Sequence, residues 1–453
     1  MKKRNGFVLS TTQMIMLTFL LTILIGSVLL SLPISAADGK AVSYIDALFT
    51  ATSATCVTGL VTLPTFSAWS GFGQVVLLLL IQVGGLGIIT MMSGFMILLN
   101  RKISLKDSQL IQDAFNLNTL FDLRGFVKKV ILGTLLVEGV GALLCMAVFV
   151  PDFGARGIWI SVFHAVSAFC NAGIDVFAAD SLCQYATSPL LNTITSLLIV
   201  LGGLGYIVWW DLLRVLKDIK RQRGKWFSRL TLHSKIALSM TAMLIVVGAA
   251  LILVLEYDNP LTIGNLSLFD KIQVSFFQSV TTRTAGFATV PQQNLRASTA
   301  LVSLLLMFIG GSPVGTAGGI KTVTLAVLAA TAFSAIRNRN EACVFHRNLS
   351  GRAIRKAIAV TGMSFLIVFV STLLMTIACD APLLDVMYET VSATATVGLS
   401  RNLTSVLDTL GKLILTFTMY LGRVGPISLA LAVNMKKAGQ NMIKNPTEEI
   451  SVG

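Results

Sequence analysis

Four short segments of the 453-residue chain carry a pattern suited to holding a bare cation. They read TSATCVTGL (52–60), VSAFCNAGID (166–175), VTTRTAGFAT (280–289) and VSATATVGLS (391–400), small residues and hydroxyls around a glycine. Their glycines, Gly59, Gly173, Gly286 and Gly398, lie 114, 113 and 112 residues apart. A dehydrated cation needs several oxygen ligands at nearly fixed distances, and rings of backbone carbonyls supply these in potassium-selective pores. Glycine permits the backbone conformations that turn successive carbonyls to one side. Thr and Ser ahead of each glycine can brace the segment through side-chain hydrogen bonds.

A second landmark keeps step with the first. GGLG at 84–87 begins 25 residues after its glycine and GGLG at 202–205 begins 29 after, while GGSPVG at 310–315 and GRVG at 422–425 each begin 24 after. Two features in one register define an internal repeat of about 113 residues that fills almost the entire chain.

The elements that position these segments follow from hydropathy. The chain is 54% apolar and 12% charged, with a mean hydropathy of +0.80, whereas soluble domains carry about 25% charged residues. Long apolar stretches near 13–33, 72–99, 127–150, 189–213, 235–256, 299–335, 357–379 and 408–435 predict eight spans of a bilayer core roughly 30 Å thick. The first is read as a retained span, because no small-residue cleavage site follows it. Shorter pieces near 43–56, 158–170, 268–282 and 384–395 are too short to cross and fit re-entrant half-helices. The expected fold is therefore an all-α integral membrane protein. It has four parallel span–pore helix–span repeats, with eight transmembrane helices and four half-helices around a central pore. Its units are 1–100, 101–213, 214–340 with an intramembrane loop at 310–320, and 341–435, followed by a tail at 436–453.

Charge sets the orientation. The N-terminus and segments 101–129, 211–235, 334–356 and 436–453 hold 26 of the 35 Lys and Arg residues against 8 acids; the opposite side holds 6 basic residues against 12 acids. The positive-inside rule puts the basic side and both termini in the cytoplasm. The net charge of +14 is thus a topology signal. Its dispersed basic segments match no nucleic-acid-binding motif and suit anionic lipid or an acidic partner face. The six cysteines and three histidines have neither metal-site spacing nor a nucleophile–base arrangement, so the chain is read as no enzyme. The NLS and NLT triplets match the glycosylation pattern only weakly.

The repeat plan, the TVGLS of the fourth unit and the stretch GGSPVGTAGGIKT resemble the Trk/Ktr/HKT superfamily of potassium transporters over essentially the whole chain. The length is most similar to that of the ion-conducting subunits of bacterial Ktr systems. The resemblance implies potassium uptake across the bacterial cell membrane through a gated, channel-like pore driven by the electrochemical gradient. It implies a filter lined by Val57, Thr58, Gly59; Asn171, Ala172, Gly173; Thr284, Ala285, Gly286; and Thr396, Val397, Gly398. Gly59 stands where a serine accompanies sodium preference in the superfamily, and only the fourth unit keeps Thr-Val-Gly. K+ is then the permeant ion at the filter and Na+ a candidate activator, with no cofactor in this chain. The partners implied are membrane lipid, a second copy in a homodimer joined through the C-terminal tail, and a cytosolic RCK-type regulatory ring. Nucleotide would bind only on that ring.

The stretch Gly310, Gly311, Ser312, Pro313, Gly315, Thr316, Ala317, Gly318, Gly319 interrupts an apolar span. Small residues there fit close helix packing. They also fit an unwound segment beneath the filter, tolerable at membrane depth only beside a cavity, and the resemblance implies that this loop is a gate. Arg423 stands where the other units have Gly85, Gly203 and Gly311. An arginine at that depth is costly without a partner; it fits a structural ion pair, or a fixed positive charge beneath the filter that holds the gate loop through its carbonyls, which the resemblance supports. Lys321 fits either the gate or a snorkelling anchor. Arg283 is expected to point away from the ion path and to be neutralised behind the filter, with Glu389 as the candidate acid. Glu138 is expected to make a helix-packing hydrogen bond rather than a proton or sodium site. Asp46 and Asp175 fit either a cation-concentrating mouth or ordinary solvated acids. The rival readings are a poorly selective sodium/potassium pore, a solute symporter, which would normally show inverted repeats, and a scaffold without transport.

Overall fold

The computed structural model describes residues 11–87, 90, 91, 93, 123–217, 226–339 and 341–425. The tail at 436–453, most of segment 101–129 and the end of the last apolar stretch lie outside the described residues. Among the described residues the regular structure is helical apart from one hairpin of two-residue strands, Cys343–Val344 with Arg347–Asn348.

Among the described residues, four helices are long and apolar enough to cross a membrane unaided. These are α1 (Thr11–Ser31), α4 (Leu123–Phe153), α8 (Leu232–Glu256) and α12 (Gly351–Ala378). Each is followed by a short helix at the position the sequence assigned to a half-helix: α2 (Tyr44–Cys56), α5 (Arg156–Phe169), α9 (Leu268–Thr281) and α13 (Leu383–Ala395). Helices of 13 or 14 residues reach only about 20 Å. Asp46, Asp270 and Asp385 lie in the first turns of α2, α9 and α13, where a carboxylate complements the positive end of the helix dipole.

The second apolar stretches depart from the expectation of one continuous helix, for three of their described helices end on a glycine. Helix α3 (Gly71–Leu86) stops at Gly87, α6 (Pro189–Leu204) at Gly205, and α14 (Thr409–Val424) at Gly425, with φ of 84°, 86° and 90°. A residue with a Cβ resists that conformation, so the last glycine of GGLG or GRVG ends the helix. Beyond Gly205 the chain turns by 100° into α7 (Tyr206–Lys217). In the third unit α10 (Ala297–Phe308) and α11 (Thr322–Ile336) flank the glycine-rich loop. The sequence foresaw a break only there. Counted by length and apolarity, four described helices cross, or five with α6–α7 taken as one bent span.

Burial is inverted relative to a soluble protein. Leu136, Val254 and Phe365 are 68%, 73% and 65% exposed on the long helices, while Ser53, Ser167, Thr281 and Ser392 are fully buried in the short ones. The apolar outside suits lipid, and the polar inside belongs to the short helices and what they hold.

Candidate ion-conduction site and the loop beneath it

The four short helices end on one conformational pattern. Val57, Asn171, Thr284 and Thr396 are left-handed, with φ of 56°, 60°, 63° and 53°, and the glycine two residues later also has positive φ, 100°, 63°, 83° and 94°. Three of the four non-glycine residues are β-branched, the least tolerant type in that region. Each costs on the order of 1–3 kcal/mol, a strain that persists only where the surroundings enforce it.

Hydrogen bonds supply the enforcement. Gly59 N donates to Ser53 Oγ at 3.0 Å and Gly398 N to Ser392 Oγ at 3.0 Å. Ile174 N donates to Ser167 Oγ at 3.1 Å, and Thr281 Oγ1 donates to the Phe287 carbonyl at 2.6 Å. The bracing hydroxyl sits on the short helix itself, so helix and segment form one unit.

The four segments meet in a ring. A Cβ built on Gly59 would strike the Ala172 carbonyl oxygen, one on Gly173 that of Ala285, one on Gly286 that of Val397, and one on Gly398 that of Thr58. The contacts pass from segment one to two, three, four and back to one. Eight of the twelve residues expected to line a filter meet in these contacts, the four glycines and Thr58, Ala172, Ala285 and Val397. The other four, Val57, Asn171, Thr284 and Thr396, directly precede them at the partly negative C-terminal ends of the short helices. Such an array offers oxygen ligands to a cation and nothing to an anion.

Directly beside the ring lies the loop between α10 and α11. Thr316 Oγ1 lies 2.8 Å from Asn171 Oδ1 and 3.1 Å from the Phe169 carbonyl, and Gly318 N donates to Thr284 Oγ1 at 3.1 Å. Ser312 N and Thr316 N donate to the carbonyls of Gly203 and Gly202, and Tyr206 N to that of Val314. Arg423 Nη1 donates to the Thr316 carbonyl at 2.7 Å and its Nη2 to Gly84 O at 2.5 Å. Lys321 Nζ donates to Ala317 O at 2.5 Å, which places it on the loop rather than among lipid.

Two side chains differ from the sequence expectation. Arg283 does not meet Glu389; its Nη2 donates to the Gly310 carbonyl at 2.8 Å. Glu389 instead accepts from Ser400 Oγ, Thr404 Oγ1 and Arg401 N at 2.6, 2.6 and 3.1 Å. A backbone carbonyl solvates the guanidinium, and among the described residues Arg283 has no acid as an ion-pair partner. Asp46 is no free acid at a mouth, because Lys412 Nζ stands 2.7 Å from its Oδ1. Glu138 does make the expected packing bond, accepting from Gln82 Nε2 at 3.0 Å. It also accepts from Cys170 Sγ at 3.7 Å, at the end of the second short helix. The side-chain bonds of Asn171 and Thr316 went unforeseen, since residue type gives no direction across 145 positions.

A bundle of apolar helices whose short helices end on a carbonyl ring is an architecture suited to a membrane protein that transports cations. The chain belongs to the TrkH family of cation transport proteins, whose model matches residues 6–444; its members are transporters, not enzymes. It is 40% identical over 442 residues to the Ktr system potassium uptake protein B of Bacillus subtilis, covering 97% of this chain and 96% of that one. It is 37% identical over 460 residues to the potassium/sodium uptake protein NtpJ of Enterococcus hirae, covering 100% and 99%. In fold it matches the crystal structure of the potassium transporter TrkH from Vibrio parahaemolyticus, with a TM-score of 0.75 at 17% identity, over 96% of this chain and 87% of that one.

Proposed function

We propose that this chain is the ion-conducting subunit of a bacterial potassium uptake system. The observation that carries the reading is the closed ring of four glycines and their neighbouring carbonyls, in a chain of the TrkH family. Potassium sheds water at the ring and passes between the four units, each contributing an outer span, a re-entrant short helix, a filter segment and an inner span. The charge asymmetry supports placing both termini in the cytoplasm. Flow is then inward, and an inside-negative potential contributes about 2.3 kcal/mol per charge per 100 mV.

The loop 310–320 serves as the gate. Its bonds to Arg423, Gly202, Gly203 and Thr284 hold it beside the ring, and it must move for an ion to pass. The described residues include no ligand-sensing domain, so control comes from outside them. A cytosolic RCK-type ring, a second copy of the chain and the surrounding lipid are the partners proposed. Nucleotide acts on the ring alone, and sodium is the candidate activator.

The relative named for both potassium and sodium uptake favours one second reading, a pore that discriminates poorly. Rubidium-86 uptake into vesicles holding the purified protein separates the two. Strong competition by potassium and weak competition by sodium is the expected result. Equal competition supports the unselective pore, and absence of flux even with cytosolic extract contradicts conduction.

A further inference from the structure

The four left-handed residues that open the filter segments are not equivalent. Val57 carries no polar side-chain atom, and the hydroxyl of Thr396 has no hydrogen-bond partner among the described residues. Thr284 accepts from the backbone of Gly318. Asn171 alone joins filter to loop by a bond between two side chains. It is 1% exposed and Thr316 is fully buried. The Asn171 amide is oriented by two partners at once. Its Oδ1 faces the Thr316 hydroxyl at 2.8 Å, and its Nδ2 donates to the Arg283 carbonyl at 3.4 Å, immediately before the third filter segment. The loop hydroxyl therefore fixes a side chain that spans from the second segment to the third.

Any displacement of the loop that opens the ion path must separate Thr316 from Asn171. The amide then loses the partner that orients it, which frees its Nδ2 to turn away from the Arg283 carbonyl at the start of the third segment. Asparagine tolerates the left-handed region better than other residues with side chains. The backbone can hold its conformation while the side chain changes partner.

We propose that Thr316 and Asn171 form a latch through which the position of the loop sets ion discrimination in the second and third filter segments. Thr316 is then a positioning residue for selectivity as well as a part of the gate. This rests on the conduction reading above. It separates a gate that merely plugs from one whose opening alters the filter.

The test is rubidium-86 uptake with potassium and sodium competition in Thr316→Val, which keeps the shape of the side chain but removes the hydroxyl, beside Thr316→Ser, which keeps the hydroxyl. A net hydrogen bond is worth about 1 kcal/mol, so Thr316→Val is expected to lower potassium-over-sodium discrimination roughly five-fold while raising flux. Thr316→Ser is expected to restore wild-type discrimination. In an Asn171→Ala background the effect of Thr316→Val on discrimination should vanish, as coupled residues require. Should Thr316→Val fail to elute as a single species in detergent, Thr316→Ala replaces it in the same cycle. Faster flux with unchanged discrimination overturns the latch and leaves a simple plug. Additive effects in the cycle overturn it equally. Wild-type vesicles without potassium-competed flux would overturn the conduction reading instead.

Discussion

Lys412, near the start of α14, places its Nζ 2.7 Å from Asp46 Oδ1 in the first turn of α2, joining positions 366 residues apart. Both side chains are mostly buried, at 18% and 15% exposure. The pair ties the last unit to the first and closes the bundle where the chain itself does not. Removing one partner of a fully buried pair costs about 3–5 kcal/mol; for this partly buried one, Lys412→Met is expected to cost about 1–3 kcal/mol. The double variant with Asp46→Asn should recover much of that loss. Thermal unfolding in detergent reads both, and a single variant as stable as wild type would show that the pair contributes nothing.

Arg423 bonds the Thr316 carbonyl from one side and Gly84 from the other. Hydrogen bonds to charged groups contribute about 1.5–3 kcal/mol. Arg423→Gln should therefore release the loop and raise rubidium flux, measured without any partner protein, by on the order of tenfold. Unchanged or slower flux would mean that the arginine does not hold the gate.

Glu138 separates two roles cleanly. As a packing acceptor for Gln82 and Cys170, it should tolerate Glu138→Gln with flux intact. Glu138→Leu should destabilise the protein by about 1–3 kcal/mol through an unpartnered Gln82. Loss of transport in Glu138→Gln with stability unchanged would instead indicate a titrating or ion-binding carboxylate.

Asp175 ends the second glycine segment, two residues past Gly173 and outside the long apolar stretches. Burial pushes its carboxyl up to about 7, hydrogen bonds from Ser181 and Ala178 pull the other way, and the Asp180 charge adds to the rise. An unfolded aspartate titrates near 3.9. Between about pH 4 and 7 the folded chain thus holds a proton that the unfolded chain has released. This contribution to stability is complete below about pH 4 and is lost as pH rises through 7. At the same time the emerging charge favours cations at the mouth. Asp175→Asn should flatten both the melting temperature and the rubidium uptake between pH 5 and 8. A variant with the wild-type pH dependence would assign it to another group.

Much of this was legible because repetition carries information that single residues lack. Gly59, Gly173, Gly286 and Gly398 marked the segments, and hydropathy placed the four short helices within two residues of where they lie. The helix ends at Gly87 and Gly425 and the bend after Gly205 were missed although their glycines stood in a repeated motif. An apolar run continues across such a break, and hydropathy cannot see a change of backbone direction. Arg283 and Glu389 do not pair, because opposite charge suggests a partner without supplying a distance. Here a carbonyl of the loop was nearer. Asn171 and Thr316 were each named, one for the filter and one for the gate, yet their contact depends on packing between units.

The central claim is that the glycine ring selects and conducts the ion. Gly59 has φ 100° and a Cβ there would strike the Ala172 carbonyl, whereas Gly39 has φ 70° with open space around it. Rubidium-86 uptake competed by potassium and sodium, compared between Gly59→Ser and Gly39→Ser, therefore separates disturbance of the ring from backbone strain alone. The account predicts that Gly59→Ser loses its preference for potassium over sodium while Gly39→Ser keeps it. Equal preference in Gly59→Ser and wild type would contradict it.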